Sequence, residues 1–278
     1  PPSHNMIIYS AASGIGVSIG DLFMAGVLPG LLTGAMLMMT AWLVARRRNL
    51  PKGYFPGWLA LTRAVAVALP GLMTAIIIMG GILSGIFTPT ESSAIAVIYT
   101  VLVGTLVYRS LGWDAFWGAA RKSARTTAMV LFIIATATAF GFALALLEVP
   151  AALASLIAVI TDNPLLTLLI INIMLLVLGT FMDMAPLIVI TTPIFLPVAM
   201  GVGVDPVHFG IIMMLNLGIG LVTPPVGSVL FVGSAVGKIP VTKLVRTIWP
   251  FYLTLIAALA LVTYVPFLSL WLPSVFAK

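Results

Sequence analysis

The sequence predicts an all-α polytopic membrane protein in which a re-entrant hairpin and broken helices interrupt the bilayer. Three observations point there. Of 278 residues, 62% are hydrophobic and only 7% charged, with a mean hydropathy of +1.23, whereas a soluble domain carries about 25% charged residues. Apolar runs recur at lengths near the ~20 residues that cross the hydrocarbon as a helix. The stretch Gly179–Gly237, apolar enough for lipid, is interrupted by Pro186, Pro193, Pro197, Pro224 and Pro225, by glycines, and by one carboxylate, Asp183. Proline removes a donor and clashes one turn back, so these positions are expected to lie outside continuous helix. Backbone left unpaired at membrane depth survives only where protein or a wet cavity satisfies it. Two interrupted segments in one stretch therefore point to a binding site.

Taken in order, Met6 to about Gly16 is a short apolar piece, and Leu28–Ala45 is a full span closed by Arg46, Arg47 and Arg48. Ala64–Leu83, Ser92–Tyr108 and Thr126–Leu147 follow as spans. Leu165–Leu178 and Leu187–Val198 are nearer a dozen residues each, on either side of Asp183, which suits a re-entrant hairpin better than two crossings. Val207–Gly220 and Val226–Gly237 read as halves of one broken helix, and Phe251–Leu272 as the last span. Between spans, Tyr54–Arg63, Trp113–Arg125 and Val241–Trp249 carry basic and aromatic residues suited to helices lying in the interface, with plain loops anchored by Trp as the alternative. Asn163-Pro164 and Asp205-Pro206 are helix starts, N-cap followed by proline. Thr88-Pro89-Thr90-Glu91 has the spacing of a capping box. Four blocks follow: 1–45, the end of a first repeat; 46–163, connecting spans; 164–237, hairpin and broken helix; 238–278, an interfacial helix and the last span.

The formal net charge of +6 lacks the basic stripe of a nucleic-acid binder, and it reads instead as positive-inside bias. Alternating the spans puts Arg46, Arg47, Arg48, Lys52, Arg63, Arg109, Arg121, Lys122, Arg125, Lys238, Lys243 and Arg246 on one side, the cytoplasmic one, with Lys278 opposite. The absence of cysteine excludes disulfides and thiolate metal sites. The string beginning Pro1-Pro2-Ser3 resembles that beginning Pro224-Pro225, and each is followed by a linker and a proline that opens a full span, Pro29 or Pro250. The linkers carry opposite charge, Asp21 against Lys243 and Arg246. Repeats of reversed orientation place a binding site at their interface. The second copy is preceded by a hairpin and half a helix and the first is not. The chain is therefore expected to be a C-terminal portion lacking those elements.

Asp183 is the carboxylate placed deep in the membrane, where an Asp costs ~2.5–3.5 kcal/mol on insertion scales. It reads as an N-cap for Met184 onward, as a group lining the site, or as both. Gly179-Thr180 and the run Gly220, Thr223, Pro224, Pro225, Val226 and Gly227 offer carbonyls and hydroxyls of the kind that hold Na⁺ at unwound helix ends; the alternative is a kink packed against its neighbours. Asn216 reads as an interhelical hydrogen bond rather than a ligand. Gly26, Gly30 and Gly34 are spaced for close helix packing. His4 and His208 lack the partners of a metal site. The run Gly233–Ile239 is one residue short of a phosphate loop and lacks its Ser/Thr. No serine–histidine–acid set or zinc-protease motif is evident, and a membrane-embedded enzyme would need more ionisable groups at depth than one Asp.

Seven strings, PPS with MIIY, LFMAGVLPG, GIFTPTES, GTFMDMAP, TTPIFLPV, DPVHFGIIMMLNLGIGLVTPPVG and VGSAVGK, span nearly the whole chain. Together they resemble the large membrane subunit of tripartite ATP-independent periplasmic (TRAP) transporters. The resemblance implies an inverted-repeat, elevator-type secondary transporter of the ion-transporter superfamily, multi-pass in the bacterial inner membrane. It implies Na⁺-driven import of a carboxylate solute such as a C4-dicarboxylate or sialic acid. It also implies a small four-helix membrane subunit and a periplasmic substrate-binding protein as partners, besides the lipid bilayer. One Na⁺ site would use Gly179, Thr180, Gly220, Thr223 and the carbonyls around Pro225–Val226, with Asp183 and Gly227 nearby. The other would use Pro1, Pro2 and Ser3 with a hairpin preceding them. Selectivity would reside largely in the binding protein. The competing classes are a membrane scaffold subunit, which predicts unbroken helices, and an ABC-type permease subunit, which predicts ATP dependence.

Overall fold

The structure, a computed structural model, describes residues 3–49, 53–161 and 163–276. Every regular element among them is helical. The chain divides into two compact units, Ser3–Ala45 with Leu131–Lys278, and Arg46–Val130. Seven helices are long and apolar enough to cross a membrane.

The larger unit begins with α1 (His4–Ala12), α2 (Ile19–Ala25) and α3 (Val27–Arg47) and resumes in the second half of α6 (Trp113–Leu146). It continues through α7 (Val149–Ile160), α8 (Pro164–Phe181), α9 (Met184–Gly201), α10 (Pro206–Gly220), α11 (Ser228–Gly237), α12 (Val241–Tyr264) and α13 (Phe267–Phe276). Helix α10 is its centre, packed against α8, α9, α12, α2, α13 and α1. Apolar all round, as a buried helix is, it buries Phe209, Ile211, Ile212, Met213 and Leu217. The expected starts hold. Asn163 accepts from the Leu165 amide at 2.9 Å, and Asp205 from those of Val207 and His208 at 2.8 and 3.2 Å.

The smaller unit pairs α4 (Trp58–Leu83) with α5 (Pro89–Leu102), which runs into a π-helical turn, Val103–Val107. Thr88 and Glu91 form the expected capping box: the Thr88 amide donates to the Glu91 carboxylate at 2.8 Å, and the Glu91 amide to the Thr88 hydroxyl at 3.3 Å. Tyr99 and Tyr108 tie α5 and the π turn to α4 through the carbonyls of Pro70 and Val67, each at 2.9 Å.

Several expectations are corrected. The breaks fall at Met182–Asp183 and at Leu221–Gly227, but Pro186, Pro193 and Pro197 all lie inside α9. Pro186 is in the first turn, where amides have no intrahelical partner to lose. Pro193 and Pro197 each delete one bond, and neighbouring helices and Thr hydroxyls re-satisfy such positions in membranes. Thr191 and Thr192 bond back onto Leu187 and Ile188 at 2.7 and 2.6 Å, next to but not at the Val189 and Pro193 carbonyls that the two prolines leave without an amide donor. Both hairpin arms are therefore 18 residues long, about 27 Å at 1.5 Å per residue, so arm length does not favour a re-entrant hairpin over two crossings.

The three interface helices are not separate elements. Trp58–Arg63 is the first part of α4, Trp113–Arg125 of α6 and Val241–Trp249 of α12, the last continuing through Pro250. The expected last span, Phe251–Leu272, instead breaks at Val265–Pro266. Of the three spaced glycines only Gly26 is in close contact, a Cβ there falling 2.8 Å from Met6 Cε. One on Gly30 or Gly34 would meet nothing within 4 Å among the described residues. The two copies of the Pro-Pro repeat lead into short helices of similar length, α1 with 9 residues and α11 with 10.

Candidate functional site

The site begins where α8 and α10 touch, glycine against glycine. A Cβ on Gly220 would lie 2.7 Å from the Gly179 Cα and carbonyl carbon and 2.8 Å from its oxygen; one on Gly179 would lie 3.3 Å from the Gly220 Cα. The absence of side chains at both positions lets the two backbones meet, as small residues do between membrane helices. Asn216, one turn before Gly220, fastens the same helix pair. Its amide donates to the Asn172 carbonyl and side-chain oxygen at 2.9 and 2.7 Å, and Asn172 donates to Thr263 at 3.1 Å. The hydrogen-bond reading of Asn216 holds.

Just beyond the contact both helices end. Helix α8 stops at Phe181, and α10 gives way to the loop 221–227, where Pro224 and Pro225 carry no amide hydrogen. The Gly227 amide donates to the Thr180 carbonyl at 3.3 Å, joining the loop to the end of α8. Gly227 has φ +51°, and a Cβ there would fall 2.9 Å from the Thr223 oxygen and 3.2 Å from that of Leu221, so glycine alone suits the position.

The oxygens are disposed as acceptors. Thr180 donates its hydroxyl to the Val177 carbonyl at 2.8 Å, and Thr223 to that of Ile219 at 2.7 Å. A hydroxyl has one hydrogen and two lone pairs, so each oxygen is left to accept. Among the described residues, no backbone amide donates to the carbonyls of Gly179, Thr223, Pro224 or Pro225. Such oxygens suit a hard cation, and no grouping of three His, Cys, Asp or Glu competes for one among the described residues. A cavity of about 470 Å³ adjoins them, bounded by Thr180, Thr223, Pro224, Trp249 and Tyr252 among others.

Gly179, Thr180, Gly220, Thr223 and Gly227 are thus brought together, with Pro224, Pro225 and Val226 on the exposed side of the loop. Asp183 occupies the N-cap position of α9, is exposed, and makes no capping bond with its side chain. Pro1 and Pro2 lie outside the described residues. Ser3 caps α1, its hydroxyl accepting from the Asn5 backbone amide at 3.3 Å, and the Asn5 side-chain Nδ2 donates to Met184 Sδ at 2.9 Å, so the start of α1 adjoins the residue after Asp183. His208 is a buried structural histidine, with Nδ1 2.5 Å from the Ser269 hydroxyl and Nε2 3.3 Å from the Thr263 carbonyl.

Two residues of this region escaped sequence reasoning. Asn172 had a signal, an amide within an apolar run. Tyr252, whose hydroxyl donates to the Val222 carbonyl, had none, because an aromatic near a span end reads as an interface anchor.

A family model, Tripartite ATP-independent periplasmic transporter, DctM component, matches residues 1–268. The chain is 43% identical over 277 residues to the C4-dicarboxylate TRAP transporter large permease protein DctM of Pseudomonas aeruginosa, covering 99% of this chain and 64% of that protein. It is 40% identical over 284 residues to the sialic acid TRAP transporter large permease protein SiaM of Vibrio cholerae, covering 99% and 64%. To the isethionate TRAP transporter permease protein DctMQ of Oleidesulfovibrio alaskensis it is 41% identical over 275 residues, covering 96% and 42%. The chain thus spans less than two thirds of the length of these curated relatives, which are transport permeases and not enzymes. With seven apolar helices of spanning length and a family match running almost end to end, the chain is a multi-pass inner-membrane protein that belongs to the DctM-component family of tripartite ATP-independent periplasmic transporters.

Proposed function

We propose that the protein acts as the large membrane subunit of a Na⁺-coupled importer of carboxylate solutes, C4-dicarboxylates or sialic acid being the type. A periplasmic binding protein delivers the solute, and a small four-helix subunit completes the membrane part. The observation that carries this reading is the Gly179–Gly220 contact, with the Thr180 and Thr223 hydroxyl oxygens and unpaired carbonyls at the two helix ends beside it. Neutral oxygens at unwound helix ends are how membrane transporters hold Na⁺ without a buried formal charge. The carboxylate finds no Lys or Arg in the apolar stretch Gly179–Gly237. It is held by bound Na⁺ and by helix N-termini, which favour anions. That of α9, not capped by the Asp183 side chain, is the first choice. Transport proceeds by an elevator motion carrying hairpin and broken helices across the membrane.

The test is uptake by the complete transporter with its binding protein in proteoliposomes. Accumulation is expected to require an inward Na⁺ gradient and no ATP. Thr223→Ala and Asp183→Asn are expected to raise the Na⁺ requirement while leaving the protein folded. Equal uptake with K⁺ in place of Na⁺ overturns the sodium reading, and ATP-dependent uptake turns the assignment to an ABC-type permease.

A further inference from the structure

We propose that Tyr252 is a positioning residue for the ion site: its hydroxyl holds the Val222 carbonyl and so decides which oxygens of the 221–227 loop are left for the cation. The inference rests on the sodium reading above and adds to it a residue on another helix.

An account of the loop's carbonyls leads to this residue. Gly220 accepts from the Thr223 amide at 3.0 Å, Leu221 from the Val229 amide at 3.2 Å, and Gly227 from the Leu230 amide at 2.8 Å. All three donors belong to the broken helix itself. Among the described residues Val222 has no such donor, and Pro224 and Pro225, which follow it closely, have no amide hydrogen to offer. The Tyr252 hydroxyl supplies the bond from α12. The next carbonyls, Thr223, Pro224 and Pro225, stay without an amide donor among the described residues.

The ring is built in as firmly as the hydroxyl. Tyr252 is 4% exposed and meets Trp249 edge to face, with ring centroids 6.1 Å apart. Both rings wall the cavity of about 470 Å³ that the Thr180 and Thr223 side chains also line. The lining is largely apolar, so a Val222 carbonyl released by Tyr252 loses its protein donor and is free to turn, and Thr223, the next residue, turns with it. Loss of the hydroxyl is thereby read at the cation.

The experiment needs only Na⁺ as probe. The thermal midpoint of the purified complete transporter is followed against NaCl, with choline chloride holding ionic strength constant, and the half-saturating Na⁺ concentration is taken from the rise. Tyr252→Phe, which removes one oxygen and keeps the ring, is expected to raise that concentration by about three- to tenfold, in line with one hydrogen bond between membrane helices. Tyr264→Phe is the control for a merely structural loss. It deletes a tyrosine–carbonyl bond from the same helix, to Leu165 at 3.3 Å, and is expected to leave half-saturation unchanged. Because half-saturation is a concentration, it does not depend on the yield of folded variant. An unmoved value in Tyr252→Phe, or equal shifts in both variants, overturns the proposal while wild-type Na⁺ stabilisation still stands. A wild type stabilised equally by choline overturns the sodium reading and this inference with it.

Discussion

At the scale of single residues, the site depends on two hydrogen atoms standing where side chains would be. Any Cβ on Gly220 meets backbone, which cannot rotate away as a side chain can. Overpacking of this kind costs about 1–3 kcal/mol. Gly220→Ala is expected to destabilise by that amount in reversible unfolding in detergent, and Gly179→Ala by less, since its nearest contact is 3.3 Å and not 2.7 Å. The asymmetry between the two variants is the useful measurement. Asn216 and Asn172 secure the same crossing. A double-mutant cycle to Ala should give a coupling near 0.6 kcal/mol and no more than about 1.7 kcal/mol, the range for interhelical hydrogen bonds in membranes. The residue types at these positions are plain in the sequence. That Gly179 faces Gly220, or that Asn216 chooses Asn172, depends on how two helices cross.

At the scale of elements, what was legible was local. Asn163, Asp205 and Thr88 cap the helices they were expected to cap, because a cap is an interaction within four residues and needs no tertiary partner. Thr88→Ala removes the half of the capping box made by the Thr88 hydroxyl, leaving the bond from the backbone amide of residue 88 to Glu91, and is expected to cost about 1 kcal/mol, seen as faster hydrogen exchange in the first turn of α5 with little change elsewhere. Reading prolines as breaks succeeded at Pro224-Pro225 and failed at Pro193 and Pro197. The difference is physical. Around Pro224 and Pro225 the helix also carries Gly220, Thr223 and Gly227, whereas α9 is otherwise a strong apolar helix and loses one bond per proline. The interface helices failed for a related reason. Polar and aromatic composition marks where a helix leaves the hydrocarbon, and does not say whether it turns there. Trp113–Leu146 is one helix of 34 residues.

At the scale of the molecule, the described residues hold seven helices long and apolar enough to span, in two compact units, and the distribution of Lys and Arg gives their expected orientation. These 278 residues contain no cysteine, so single cysteines introduced among them report sidedness without background from this stretch. Arg121→Cys and Lys238→Cys are expected to react with an impermeant maleimide only from the cytoplasmic side, and Glu148→Cys only from the outside. Labelling of Arg121 and Glu148 variants from one side would show that α6 does not cross.

The sequence by itself determined the class, the three helix starts at Thr88, Asn163 and Asp205, and the two breaks at Asp183 and Pro224-Pro225. Each follows from properties a residue carries with it: hydropathy, a missing amide hydrogen, a side chain that reaches its own backbone. Only the tertiary structure decided that Gly179 and Gly220 touch, that the Gly227 amide closes on Thr180, and that Tyr252 comes in from another helix to take the Val222 carbonyl. Those contacts join residues as far apart as 47 positions, Thr180 to Gly227. They depend on the angle and register at which apolar surfaces pack, and many sequences with the same pattern of apolar residues would pack otherwise.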